Sequence, residues 1–215
     1  IPAGGSTSAL HNAYVALSRE AGKNQIDSAA LYSILESRLG DSKLALGILA
    51  NAMAESTLDA NVISGVATES SIGLWQMNVQ IEGSVQPPSS GIMTRARELP
   101  ESIRIPSTSS VVVYFGGGQL AKKHGVSVVT PVDYAGGNQD VSEVYELVSD
   151  STKQIDFVVE VTKNMLAEIT YNSDDITAGN WAQWFQIYFE QPGAIKDRSK
   201  QAKAIKDDLG LSVTV

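Results

Sequence analysis

The sequence predicts a mainly helical α+β domain interrupted by a small β or irregular insertion. Two observations carry this: apolar residues recur at helical spacing before about residue 55 and again after Val141, whereas β-branched runs separated by glycine crowd into the stretch between. Hydrophobic residues make up 43% of the 215-residue chain and charged residues 19%, an ordinary globular balance. A chain of this length buries about 70% of its unfolded surface without needing staples. Residues 1–7, which begin Ile1-Pro2-Ala3-Gly4-Gly5-Ser6 without a Met, read as a tail or linker of a processed or excised chain. Residues 8–215 read as one domain with an insertion at about 83–139.

Four segments in the first half read as helices: Ser8 to Ala21, Asp27 to Leu39, Ser42 to Glu55 and Met93 to Leu99. In the second, Asp27 suits a cap, and Leu31, Ile34, Leu35 and Leu39 share one face expected in the core. In the third, small residues surround Leu44, Ile48 and Leu49, which marks a central, closely packed helix. Val111-Val112-Val113-Tyr114-Phe115 and Val126-Ser127-Val128-Val129 read as short strands, with Gly116-Gly117-Gly118 as a turn between them. The helical pattern returns from Val141 to Ile169 with a break near Ser149 to Thr152. Ala178 to Glu190 then forms a helix whose stripe Trp181, Trp184, Phe185, Tyr188 and Phe189 reads first as core. Gln191-Pro192-Gly193 ends it, and a polar helix and an apolar tail close the chain.

Composition excludes several function classes. The chain has no Cys and only two histidines, His11 and His124, far apart in sequence, so thiol chemistry is out and a zinc site is not expected. No cofactor is expected either. Gly116-Gly117-Gly118 is not followed by the Lys-Ser or Lys-Thr of a phosphate loop, and no Gly-x-Ser-x-Gly elbow occurs. A net charge of -8 argues against a nucleic-acid partner. The basic cluster Lys196 to Lys203 reads as the solvated face of a final helix. No apolar run reaches the length of about 18 residues needed to span a membrane, and no signal-peptide pattern opens the chain.

The chemistry concentrates in Asn51-Ala52-Met53-Ala54-Glu55-Ser56-Thr57-Leu58-Asp59, followed by Ser70-Ser71-Ile72-Gly73-Leu74-Trp75-Gln76-Met77-Asn78. A carboxyl at the C-terminal end of an apolar helix is favoured in its neutral form by apolar surroundings and by the negative end of the helix dipole. Glycoside cleavage needs such an acid, placed to protonate the leaving oxygen. Taken alone, a Glu at a helix end is more often a solvated surface residue.

Glu55-Ser56 with Gly73-Leu74-Trp75-Gln76 some eighteen residues on resembles the lysozyme-like superfamily, which includes soluble lytic transglycosylases and goose-type lysozymes. Three further features resemble its phage tail lysozyme group: Gly47-Ile48-Leu49-Ala50-Asn51-Ala52-Met53-Ala54-Glu55-Ser56, Gln154-Ile155-Asp156-Phe157 in a late helix, and the aromatic helix ending Phe189-Glu190-Gln191-Pro192. In the last, Gln191 stands where Arg is usual. The resemblance covers about 45–78 and 151–192, a little over a third of the chain, and leaves the insertion unaccounted for.

The resemblance implies a lysozyme-like fold that cleaves peptidoglycan glycan strands with Glu55 as general acid. The setting it implies is virion-associated, or delivered to the bacterial periplasm and cell wall, with other virion proteins as further partners. It also implies a substrate-binding set: Ser56, Ser71, Gly73 where backbone approaches the sugar, Trp75 as cleft wall, Gln76 beside the cleaved bond, and Tyr188 as the member of the aromatic stripe that reaches the cleft. Ser71 reads first as a turn residue, and Trp75 equally as core. Glu69, fourteen residues after Glu55, resembles in position the base of goose-type lysozymes, while Asp59 is the alternative second carboxylate or a turn residue that binds local backbone. A lytic transglycosylase would need neither. Two rival readings are a chitinase or chitosanase, and a catalytically idle structural or wall-binding module of a virion.

Overall fold

In chain order, the computed structural model forms α1 (Gly4–Ala21), α2 (Ser28–Leu39), α3 (Ser42–Ser56), β1 (Ser71–Ile72), β2 (Met77–Asn78), β3 (Ser84–Gln86), α4 (Ser90–Ala96), β4 (Val112–Tyr114), α5 (Gly116–Lys123), α6 (Ser142–Val148), α7 (Ser151–Leu166), α8 (Ala178–Phe185) and α9 (Ser199–Leu209). The structure describes residues 4–64, 66, 69–136 and 140–215. The mainly helical α+β class is the one observed. Among the described residues no helix is long and apolar enough to cross a membrane.

Local chemistry sets the helix ends. Asp27, Asp41 and Asp150 stand just outside α2, α3 and α7 with extended backbone, and their carboxylates accept from first-turn N–H groups. Thr177 and Asn180 form a reciprocal capping box at the start of α8. Asp150 interrupts the long apolar pattern after Val141 and separates α6 from α7, at the expected break.

Helix α3 runs through the middle of the core, with every residue from Leu44 to Ala52 buried. Its small residues allow α8 to approach at backbone distance. A Cβ on Gly47 would lie 2.7 Å from the Ala182 nitrogen and 2.9 Å from the Ala178 oxygen. The α8 stripe packs edge to face, with Trp181 and Trp184 centroids 5.3 Å apart and Trp184 and Tyr188 centroids 5.8 Å apart. Both Trp184 and Tyr188 are fully buried. Their polar tips are satisfied by the insertion: Trp184 Nε1 donates to the Ile103 carbonyl at 2.8 Å and the Tyr188 hydroxyl accepts from the Ile105 N–H at 3.0 Å.

Several sequence expectations are corrected. Helix α1 already begins at Gly4, so residues 4–7 are helical rather than tail; residues 1–3 lie outside the described residues, as do 137–139 at the end of the insertion. Ile34 is 38% exposed, while Leu31 and Leu35 are fully buried and Tyr32 is buried beside them on α2. Helix α4 starts three residues earlier than expected because Ser89 caps it, accepting from the Ile92 N–H.

Gly116-Gly117-Gly118 opens α5 rather than forming a turn. Gly117 and Gly118 fit there because backbone touches them: their Cβ atoms would fall 2.7 Å from the Met77 oxygen and 2.0 Å from the Ile81 oxygen, respectively. Val126 to Val129 forms no strand, since β-branched residues become a strand only where a partner ladder exists. The two sheets that do form are antiparallel pairs. Ser71 faces Asn78 in β1–β2, and Ser84 faces Tyr114 in β3–β4.

Gly47→Ala should cost at least about 1–3 kcal/mol, because the added methyl meets the backbone of α8 rather than a movable side chain. Urea unfolding of the two forms checks this, and an unchanged midpoint would show that the helices can separate freely.

Candidate functional site

The end of α3, the β1–β2 hairpin, the Tyr114–Gly116 turn and the 189–193 segment enclose a cleft of about 600 Å³. Three carboxylates line it, those of Glu55, Glu69 and Glu190, together with Gln76, Asn78 and the aromatic residues Tyr114 and Phe115. Open polar clefts with a few aromatic walls and convergent acids are where glycosidic chemistry is built.

Glu55 reaches the cleft because α3 ends abruptly. Thr57 and Leu58 both adopt left-handed backbone, with φ of 53° and 65°, an uncommon conformation for non-glycine residues that tends to gather at functional sites. Ser56 faces inward. Its hydroxyl proton is shared between the Ala52 and Leu74 carbonyls, each 3.0 Å from the oxygen, which ties the end of α3 to the hairpin loop.

From the other side, Gln154 of α7 holds the same loop. Its Oε1 accepts from the Leu74 N–H at 2.8 Å and its Nε2 donates to the Ala60 carbonyl at 2.9 Å. Gly73 is required here for two reasons. Its φ is +84°, and a Cβ would fall 2.3 Å from Gln154 Nε2. Ser56 and Gly73, expected to serve the sugar directly, are therefore corrected to residues that fix the hairpin, because the buried loop's backbone groups need partners.

Trp75 is buried and donates from Nε1 to the Ile48 carbonyl at 3.1 Å, so its ring belongs to the core, although the residue is among those bordering the cleft. Ser71, on β1, and Gln76 also line the cleft. Gln76 sits at φ +47° with its Nε2 donating to the Val62 and Gly73 carbonyls, so the side chain is oriented before any ligand arrives. Tyr188 does not reach the cleft. Its hydroxyl is held by Ile105, and the ring lies entirely in the core.

Of the two expected second carboxylates, Asp59 is a backbone-binding turn residue. Its Oδ1 accepts from the Asn24 N–H at 3.0 Å and the Asn61 N–H at 2.9 Å, which removes it from the cleft. Glu69 is exposed on the cleft rim.

The carboxylate that sequence reasoning missed is Glu190. It terminates a π-helical turn over Gln186–Glu190 that follows α8 and is closed by the Gln191 N–H donating to the Gln186 carbonyl at 2.7 Å; such turns are frequent at functional sites. Both of its carboxylate oxygens are buried without a hydrogen-bond partner, although the residue as a whole borders the cleft. Burial, reinforced by the negative charge of Glu55, pushes the Glu190 carboxyl well above the usual carboxylate range, against the opposing pull of Arg198 and Lys196.

Arg198 was missed as well. It belongs to the Lys196–Lys203 cluster expected to face solvent, yet its side chain is only 7% exposed and is ion-paired with Glu55, itself 29% exposed. Glu55 thus sits beside a guanidinium rather than in purely apolar surroundings. Arg198 Nε also donates to Asn51 Oδ1 at 3.2 Å, while Asn51 Nδ2 donates to the Gly47 and Ala182 carbonyls at 3.0 Å each. The loop before α9 is pinned by Gln186, which accepts from the Lys196 N–H and donates to the Lys196 carbonyl. Gln191 places its Nε2 on the Val113 and Tyr188 carbonyls, and the cation paired with Glu55 is Arg198.

A signal for Glu190 was present: it is the only acid in an otherwise aromatic and amide-rich helix. No local signal marks Arg198. Among the described residues no three His, Cys, Asp or Glu side chains stand together as a metal-ligand set.

Gln154→Ala should destabilise the fold by about 2–4 kcal/mol, since it leaves the Leu74 N–H and the Ala60 carbonyl buried and unpaired. Chemical denaturation measures this, and a loss below about 1 kcal/mol would mean that water replaces the amide. Compared with protein-family models, with curated proteins and with solved structures, the chain has no match.

Proposed function

We propose that the protein cleaves the glycan strands of bacterial peptidoglycan by general-acid catalysis, as a lysozyme or a lytic transglycosylase, with Glu55 at the reacting centre. The observation that carries this reading is the placement of Glu55 and Glu190 on one open cleft whose remaining lining is polar and aromatic. The Glu-Ser and Gly-Leu-x-Gln motifs, read as lysozyme-like, lie on the two elements that frame that cleft, and the wider resemblance suggests a phage enzyme carried on the virion or delivered to the cell wall.

Phe115 supports a saccharide ligand. It is 39% exposed, borders the cleft and caps α5 with left-handed backbone at φ 55°. A strained, solvent-facing aromatic ring offers the apolar face of a pyranose a flat surface. Glu69 on the rim is the residue that would activate a water in the hydrolytic variant of the reaction. In the transglycosylase variant the substrate's own C6 hydroxyl attacks and Glu69 takes no part.

Mass spectrometry of sugars released from purified peptidoglycan by the wild-type protein and by Glu55→Gln tests the reading. Anhydro products lost in the variant would identify a transglycosylase, and reducing ends lost in the variant a lysozyme. Equal release by both forms would remove Glu55 from the mechanism, and release by neither would defeat the proposal. Phe115→Ala should raise KM several-fold with kcat retained, as expected for a contact made equally in ground and transition states.

A further inference from the structure

We propose that Glu55 and Glu190 work as a pair in which Glu190 carries the reaction's proton, while Arg198 is ion-paired with Glu55. This rests on the glycan-cleaving reading and assigns the pair's division of labour. Three placements support it. Glu55 is engaged by the Arg198 guanidinium, whereas the two oxygens of Glu190 are buried and accept no hydrogen bond. Both residues line the same cleft. Arg198 is itself fixed from behind by Asn51, and its ion pair goes to Glu55, whereas the Glu190 oxygens receive no hydrogen bond from Arg198 or Lys196. The charged groups that act on Glu190 are Glu55 from α3 and Arg198 and Lys196 from the loop before α9. Two carboxylates in one low-dielectric site do not both ionise readily, and enzymes use such pairs to keep one acid protonated near neutral pH.

The charge balance suits the reaction. At rest, one carboxylate, one neutral carboxyl and one guanidinium sum to zero. The proton reaches the glycosidic oxygen by way of Glu55, because the Glu190 oxygens are shut off from the cleft whereas Glu55 is 29% exposed; as it is transferred, the bond from the anomeric carbon to that oxygen breaks and its electron pair stays on the oxygen. The pair becomes dianionic while the sugar ring becomes cationic, so negative charge develops in the cleft at the same moment as positive charge. Attack on the anomeric carbon by water, or by the substrate's C6 hydroxyl, forms the new bond, and the nucleophile's proton returns to the pair.

The test combines two measurements on the whole chain. The first is the pH dependence of sugar release from purified peptidoglycan for wild type, Glu190→Gln and Glu190→Asp. The second is urea unfolding of wild type and Glu190→Gln across pH. A carboxyl whose folded pKa is raised costs stability progressively as pH climbs from its unfolded value, about 4.3, toward its folded value. Glu190→Gln should therefore gain stability over wild type as pH rises through that window, yet lose at least about 100-fold in rate. Glu190→Asp should keep measurable release with a displaced basic limb. A stability difference that stays flat with pH would overturn the placement of the proton. Wild-type rate and an unmoved basic limb in Glu190→Gln would overturn its use in the reaction. Should wild type release no sugar at any pH, the glycan reading fails, while the unfolding series still decides where the proton rests.

Discussion

The buried amide of Asn51 is the contact on which the site depends. One nitrogen bridges the Gly47 carbonyl of its own helix and the Ala182 carbonyl of the next, and the oxygen receives Arg198. A buried amide left without partners is costly, so the three elements that satisfy it are held in one arrangement. That arrangement is possible because Gly47 lets α3 and α8 meet backbone to backbone. The helix that carries Glu55, the helix that runs on to Glu190 and the loop that brings Arg198 are therefore positioned by a single junction. Burying a charged pair is expensive unless its geometry and remaining hydrogen bonds are good, and Asn51 supplies part of that support to Arg198.

A second junction sets the opposite wall. Ser56 and Gln154 capture the two backbone polar groups of Leu74 from different helices, and Gly73 is the only residue type that leaves Gln154 its space. The hairpin is short, and two-stranded pieces have little stability alone. Its precision comes from these side chains of α3 and α7, separated from it by eighteen and eighty positions in the chain. The motif residues nearest the acid thus divide into those that touch the cleft, Ser71, Trp75 and Gln76, and those that hold them there, Ser56 and Gly73.

The insertion is structural as well as peripheral. Its 103–105 segment satisfies the tips of Trp184 and Tyr188, and Arg95 of α4 donates to the carbonyls of Pro192 and Gly193 at the cleft's edge. The Gly116–Gly118 run then presses α5 against the chain after β2 and leaves Phe115 facing the groove. The least familiar part of the sequence supplies one wall of the candidate site and closes the core around the aromatic helix.

Read by itself, the sequence determined most of the helices, the Asp27 cap, the central character of α3 and the acid at its end, because these follow from local periodicity and from backbone groups within a few residues of their partners. It also determined that the aromatic stripe is mostly core, and left Asp59 open between a second carboxylate and a turn residue. Only the tertiary structure decided which charges meet. Arg198 lies 143 positions from Glu55 within a cluster that looks solvated, and Glu190 looks like an ordinary helix end. Nothing in either neighbourhood reports that the chain brings both to Glu55. Likewise the strand expected at Val126–Val129 failed for want of a partner, and the glycine run became a helix start because of what packs against it. Propensity and spacing are properties of neighbours along the chain, whereas burial, ion pairing and close approach belong to neighbours in space.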